Sequence, residues 1–246
     1  MNSKGASLGP LPRLVQVSEL SDLGAALETL GLRSSRPVLV SVGGAGELAP
    51  EHLALIGELL RDHMFPVVER HGAAVVDGGT DSGVMRVFGE ARASARAGFP
   101  LIGVAAVGTV ALPGKPAGGH TAALEPQHSG VVLVPGDSWG AESPWLADVA
   151  TELAAGRPSL TLVIDGGTVT YDDVQNSLAR RRPVLVLAGS GRAADAIAGA
   201  AMAAGEAQDA RASRIATSPL IRVARLSDFA GVTAAVDELL SGQDSS

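Results

Sequence analysis

Short aliphatic runs that do not alternate with polar residues set the tightest limit on how this chain can fold. Val38-Leu39-Val40-Ser41-Val42, Leu101-Ile102-Gly103-Val104-Ala105, Val131-Val132-Leu133-Val134, Leu160-Thr161-Leu162-Val163-Ile164 and Pro183-Val184-Leu185-Val186-Leu187 offer apolar side chains to both faces of any strand they form. A strand with one wet face shows period-two alternation, whereas a strand buried on both faces reads as a continuous run. Between the runs lie segments with helical spacing, such as Leu53, Ile56, Leu59, Leu60 and Met64 after Pro50, and Val84, Val87, Phe88, Ala91 and Ala95. Strand and helix alternate from Leu14–Val17 to a last strand near Leu220–Val223 and a helix from Asp228 to Leu240. The pattern predicts one α/β domain over residues 1–246, a doubly wound, mostly parallel sheet with helices on both faces, with 1–12 and 242–246 as loose tails.

Composition agrees with that layering and narrows the function. Hydrophobic residues make up 46% and aromatic residues 3%, so the core has to be built from Ala, Val, Leu and Ile, with 31 glycines supplying turns and close contacts. The net charge of −7 lacks the basic surplus that a sequence-independent nucleic-acid surface needs. With no cysteine, disulfides, thiolate metal sites and cysteine nucleophiles are excluded together. No apolar run approaches the roughly 20 residues of a membrane span, and Met1–Pro12 lacks the apolar centre of a signal peptide. The expectation is a soluble, cytoplasmic protein without nucleic-acid or membrane partners.

The chemistry is concentrated in glycine turns. Val75-Val76-Asp77-Gly78-Gly79-Thr80-Asp81-Ser82-Gly83-Val84-Met85 reads as strand, tight turn and helix, with Asp81 or Ser82 available as a cap. The first N–H groups of such a helix lack internal partners and carry about half a positive charge, and glycine lets a phosphate approach the main chain. Similar turns follow other strands at Gly43-Gly44-Ala45, Gly166-Gly167-Thr168-Val169-Thr170 and Gly189-Ser190-Gly191-Arg192. In a parallel sheet all strand C-termini face one edge, so the four turns are expected to converge there on a phosphate-bearing ligand. Thr170 can donate a hydroxyl to it and Arg192 can grip a diphosphate bidentately, or form a surface ion pair instead. The Gly- and Pro-containing stretch 108–121 is expected to be a ligand lid or contact. His128, just before a buried strand, reads better as a capping or core-rim residue than as a ligand contact.

Ordinary nucleotide motifs are missing. Gly44, Gly46 and Ala49 approximate G-x-G-x-x-G, but no acidic residue ends a strand about 20 residues later. Gly114-Lys115 is followed by Pro116, which rules out a phosphate loop of the G-x-x-x-x-G-K-[ST] type, and the five histidines show no metal-ligand spacing.

Taken together, Pro37–Val42 with Gly43-Gly44, Gly78-Gly79-Thr80-Asp81-Ser82-Gly83-Val84-Met85, Leu124-Glu125-Pro126-Gln127-His128, Asp165-Gly166-Gly167 and Gly189-Ser190-Gly191-Arg192-Ala193-Ala194-Asp195 resemble the LSDAT family. That family is the prokaryotic relative of the amino-terminal domain of TRPM channels, within the SLOG superfamily of Rossmann-like nucleotide-ligand domains. The resemblance covers about Leu14 to Ala204. It implies a stand-alone sensor domain for ADP-ribose or a related NAD-derived diphosphate nucleotide, with no cofactor beyond that bound nucleotide. It places Gly78, Gly79 and Thr80 at one phosphate turn, Gly167 and Thr170 at a second, and Arg192 against a phosphate. Where the channel relatives carry arginines after a glycine-glutamate pair, Gly140 and Glu142 are followed here by Pro144-Trp145-Leu146, so Trp145 either stacks on a base or fills the core.

A second branch of the superfamily, the LOG phosphoribohydrolases, keeps the alternative open. Its Pro-Gly-Gly-x-Gly-Thr-x-x-Glu motif resembles Asp165–Asp173, with Asp173 at the glutamate position. The resemblance therefore also allows an N-glycoside hydrolase acting on nucleoside monophosphates, with Asp173 as its catalytic carboxylate. A third alternative is a structural partner, with the alanine-rich helix Ala193–Ala204 as a homodimer face.

Overall fold

A computed structural model describes residues 12–46, 49–112, 121–202 and 209–242. Its centre is β2, Val38–Gly43, whose residues up to Val42 are all buried. β2 pairs with β3 (Ala74–Asp77) on one side and β6 (Ser159–Ile164) on the other, both parallel. Outward from β3 come β4 (Leu101–Ala106), β5 (Gly130–Val134) and, at the edge, β1 (Arg13–Gln16). Outward from β6 come β7 (Val184–Ala188) and the other edge strand, β8 (Ile221–Arg225). All eight strands run parallel, a stricter arrangement than the expected mostly parallel sheet.

The continuous apolar runs serve both faces. Val38, Val40, Val42, Val76, Val163, Val184 and Val186 point to one side, onto α1 (Leu23–Thr29), α5 (Ser143–Ala154), α6 (Thr168–Ala179), α7 (Arg192–Met202) and α8 (Ala210–Ala216). Leu39, Val75, Leu160, Leu162, Leu185 and Leu187 point to the other side. There they meet α2 (Pro50–Glu58), α3 (Phe65–Arg70), α4 (Gly83–Ala95) and α9 (Phe229–Ser241). Fully burying one such aliphatic side chain contributes about 1.5–3 kcal/mol, so two dry layers are what hold the sheet between its helices.

Two elements depart from the helical reading. The helix begun at Pro50 does not stop at Met64: a π-wound turn over Leu59–Met64 carries it into α3. Pro66 has no N–H to offer the preceding turn, and the wider winding accommodates that gap while Leu59, Leu60 and Met64 all remain buried. The short helix α8 has no counterpart in the sequence reading. Of the expected tails, 1–11 and 243–246 lie outside the described residues, as does 113–120 within the expected lid.

Chain order fixes where a ligand can enter. From β2 the chain moves through β3, β4 and β5 in one direction, then returns to lay β6 on the opposite flank of β2. The order reverses between β2 and β6, and the crevice beyond their C-terminal ends is where open parallel sheets bind ligands.

Candidate functional site

At that reversal lies a cleft of about 260 Å³. β2 ends on Gly43, paired with Ile164 at the end of β6, and a Cβ on Gly43 would press on the Ile164 carbonyl and lie 2.8 Å from Val84 Cγ2. The main chain of Gly43, Gly44, Ala45 and Gly46 forms one wall, and Gly167, Thr168, Val169 and Thr170, the start of α6, form the wall opposite. Gly78 and Thr80 after β3 and Arg192 after β7 complete the rim. The turns at 43–46, 78–80, 167–170 and 192 thus share one mouth.

They are not equally available to an anion. In α4 the Val84 N–H is taken, donating to the Gly44 carbonyl at 3.0 Å. Gly83 sits at φ +48, and a side chain there would also collide with that same carbonyl, so the position suits glycine on both counts. Ser82 is the N-cap residue of α4 but makes no side-chain cap bond, its Oγ lying 3.0 Å from Thr80 Oγ1, while Asp81 pairs with Arg86 at 2.7 Å. The start of α7 is closed in the same way, with Ala193 and Ala194 N–H donating to the Gly166 and Asp165 carbonyls at 3.3 and 2.9 Å. In α6, Gly167 N–H goes to Thr170 Oγ1 at 3.1 Å, while among the described residues nothing accepts from Thr168 or Val169 N–H. The close packing of the turns is the cause: the Gly44 carbonyl reaches Val84 and the Gly166 and Asp165 carbonyls reach Ala193 and Ala194, whereas no carbonyl among the described residues reaches Thr168 or Val169.

Five of the glycine-turn residues expected to touch ligand do not line the cleft. Gly79, at φ +68, packs where a Cβ would lie 2.8 Å from Gly103 Cα, and its N–H donates to Asp77 Oδ1. Gly83 holds α4 against the β2 turn, and Gly166, at φ +111, packs on Thr170. Ser190 is fully buried, accepting from Asp165 N–H at 2.8 Å and donating to the Leu187 carbonyl at 2.7 Å, which ties the β6 and β7 turns together. Gly191 leaves room for Asp165, whose Oδ1 would lie 2.8 Å from a Cβ there. Arg192 is on the rim, but its guanidinium is held in a bidentate pair with Asp165, Nε to Oδ1 at 2.7 Å and Nη2 to Oδ2. That is the ion-pair alternative. Nη1 lies toward Gly46.

The cleft also holds residues that the glycine pattern did not indicate. Trp139, 46% exposed, lines its mouth, while Trp145 packs partly buried against the core. Glu142 and Asp173 both line it. Burial pushes the Asp173 carboxyl up to about 7, opposed by the Ser143 hydroxyl and reinforced by Glu142 and Asp172. Burial also raises Glu142, opposed by N–H bonds that include Gly140. Ser41, Met85 and Thr109 form its inner end. The signal for Trp139 and Glu142 was present in topology, because the connection after β5 opens on the same rim as the other turns.

His128 lies beneath the site rather than in it. Its Nε2 is 2.8 Å from Asp77 Oδ1 and its Nδ1 is 2.6 Å from Glu125 Oε2, all three side chains buried. Burial alone would lower its pKa, but the two carboxylates outweigh it and raise it to about 9. With Glu125 N–H donating to the Gly79 carbonyl, this network fixes the Gly78-Gly79 turn from behind.

With the geometry in hand, the chain can be set beside known proteins. The profile of the family described as SLOG in TRPM, prokaryote, matches residues 36–234. Transient receptor potential cation channel subfamily M member 2 from Rattus norvegicus and from Mus musculus is 28% identical over an alignment of 197 residues, and the match covers 65% of this chain and 13% of each channel. The chain therefore spans a small fraction of those relatives. The X-ray structure of TM1055, 21% identical, covers 81% of this chain and 99% of its own with a TM-score of 0.50. The molybdenum cofactor carrier protein from Chlamydomonas reinhardtii, 20% identical, covers 84% and 99% with a TM-score of 0.53. These two share the Rossmann-like fold. No helix among the described residues is long and apolar enough to cross a membrane. The matched span contains every turn of the cleft, and the chain belongs to the prokaryotic SLOG-in-TRPM family.

Proposed function

We propose that this chain is a nucleotide-ligand sensor domain whose ligand is ADP-ribose or a related diphosphate ribonucleotide. The observation that carries the reading is the open start of α6, with Thr168 and Val169 N–H unclaimed among the described residues, facing the glycine wall of Gly43–Gly46 across the switch-point cleft. One phosphate fits the α6 terminus, where the helix dipole favours an anion. A second phosphate fits the main chain of Ala45 and Gly46, with Arg192 Nη1 alongside. Trp139 at the mouth is placed to stack on a planar base. The relationship to the amino-terminal region of a TRPM channel supports ADP-ribose as the first ligand to try.

The second reading, an N-glycoside hydrolase acting on nucleoside monophosphates, is favoured by one observation. Asp173 lies one turn beyond Val169 on the same face of α6, so a phosphate at the helix start brings its ribose toward a carboxyl whose pKa is about 7. Proton donation to a leaving base is within reach of such a group. The two readings separate in one assay: incubation with nucleoside monophosphates, NAD and ADP-ribose, followed by quantitation of free base and of the melting temperature. A rise in melting temperature without base release supports sensing. Base release that disappears in Asp173→Asn establishes hydrolysis, and no response to any nucleotide refutes both.

A further inference from the structure

Two buried polar atoms, Ser41 Oγ in the cleft lining and Asp77 Oδ2 one residue before the lining residue Gly78, have no hydrogen-bond partner among the described residues. The sheet makes them neighbours. β2 and β3 run parallel and are paired as far as Val40 opposite Val76, and Ser41 and Asp77 are the next residues of the two strands. Each follows by two positions a residue of the same core layer, Leu39 and Val75, and therefore projects on the same face. Ser41 lines the cleft, as does Gly78, the residue after Asp77. The third unpaired buried atom, Arg182 Nη1, belongs to a guanidinium bound among Ala147, Thr151 and Ser159, away from the cleft.

Asp77 has no freedom to turn Oδ2 toward another partner. Oδ1 accepts Gly79 N–H at 2.8 Å and contacts His128 Nε2 at 2.8 Å, which fixes the carboxyl plane. A carboxylate oxygen accepts only, while a serine hydroxyl both donates and accepts. A phosphate offers no proton to Oδ2 and repels it, so the phosphates belong at the α6 and Gly44–Gly46 end. A hydroxyl donates to Asp77 Oδ2 and accepts from Ser41 at the same time. We infer that Ser41 and Asp77 form a specificity pair for a ribose hydroxyl of the ligand, a reading that rests on the nucleotide-binding function above.

The test is calorimetric titration of the whole chain and its Ser41→Ala variant with ADP-ribose, AMP, 2′-deoxy-AMP and 3′-deoxy-AMP. One deoxy probe should bind the unaltered protein about tenfold or more weakly than AMP, the cost of leaving a buried acceptor unpaired. In Ser41→Ala, AMP should fall to nearly that level and the discrimination should shrink, with Ser41→Cys in between. Removing an unpaired hydroxyl should leave the melting temperature of the ligand-free protein unchanged or higher, so weakened binding is not unfolding. Equal affinity for AMP and both deoxy probes, or Ser41→Ala behaving as the unaltered protein, overturns the pair and leaves a fixed water as its occupant, while nucleotide binding stands. Failure of all four probes to bind overturns both.

Discussion

Asp173 carries a charge question that bears directly on ligand binding. Its carboxyl, at about 7 because the cleft wall excludes water, is largely neutral at mildly acid pH and ionised at pH 8. An anionic ligand seated at the start of α6 then meets a negative neighbour one turn away, so affinity for ADP-ribose should fall as pH rises from 6 to 8. Asp173→Asn should flatten that profile, which calorimetric titration at several pH values can check. The same shift has a stability sign. A carboxyl whose folded pKa is raised holds more protons folded than unfolded between pH 4 and 7, so its effect on stability worsens as pH climbs through that window. Asp173→Asn should therefore raise the melting temperature at pH 8 more than at pH 5. His128 works the other way: its pKa of about 9 means that its stabilisation is full below the ordinary histidine value and is lost as pH rises through 9. His128→Ala leaves Asp77 and Glu125 buried without their shared partner and should cost about 3–5 kcal/mol in urea unfolding at pH 7.

Helix beginnings separate glycines that hold the fold from glycines that serve a ligand. Gly83 has a positive φ and no space for a Cβ beside the Gly44 carbonyl, so Gly83→Ala should drive α4 from the β2 turn and destabilise by about 2–4 kcal/mol, read by urea unfolding. Gly167 has a negative φ and nothing within 4 Å of an added Cβ, so Gly167→Ala should fold with a loss of about 1 kcal/mol or less. Its methyl narrows the approach to the open start of α6, and nucleotide binding should weaken far more than stability. The strands were legible because a run such as Val38–Val42 has only one comfortable home, between two apolar layers. The helix starts were less so. Helical spacing is legible in α6 from Tyr171 and Val174 onward, but the helix begins at Thr168, and the residues before Tyr171 are the ones that face the cleft.

At the scale of the molecule, the cleft lies between the two halves of the sheet, and a nucleotide bound there should tie them together. A ligand at a hundred times its dissociation constant adds about 2.7 kcal/mol to the folded state, visible as a higher melting temperature. Trp139, half exposed at the mouth, should report occupancy by a change in tryptophan emission that Trp139→Phe abolishes and Trp145→Phe retains. Local order in the chain determined a great deal on its own. Apolar runs without alternation mean strands dry on both faces, the glycine pairs mean tight turns at their ends, and parallel strands bring those ends to one edge. Tertiary structure alone decided which turns remain open. Whether an N–H is free depends on whether another turn's carbonyl reaches it, as Gly44 reaches Val84 and Asp165 reaches Ala194. It also decided that Arg192 is bound to Asp165, that Trp139 rather than Trp145 lines the cleft, and that Ser41 and Asp77 end neighbouring strands. Contacts of that kind join residues far apart in sequence, and a local pattern of residue types carries no record of them.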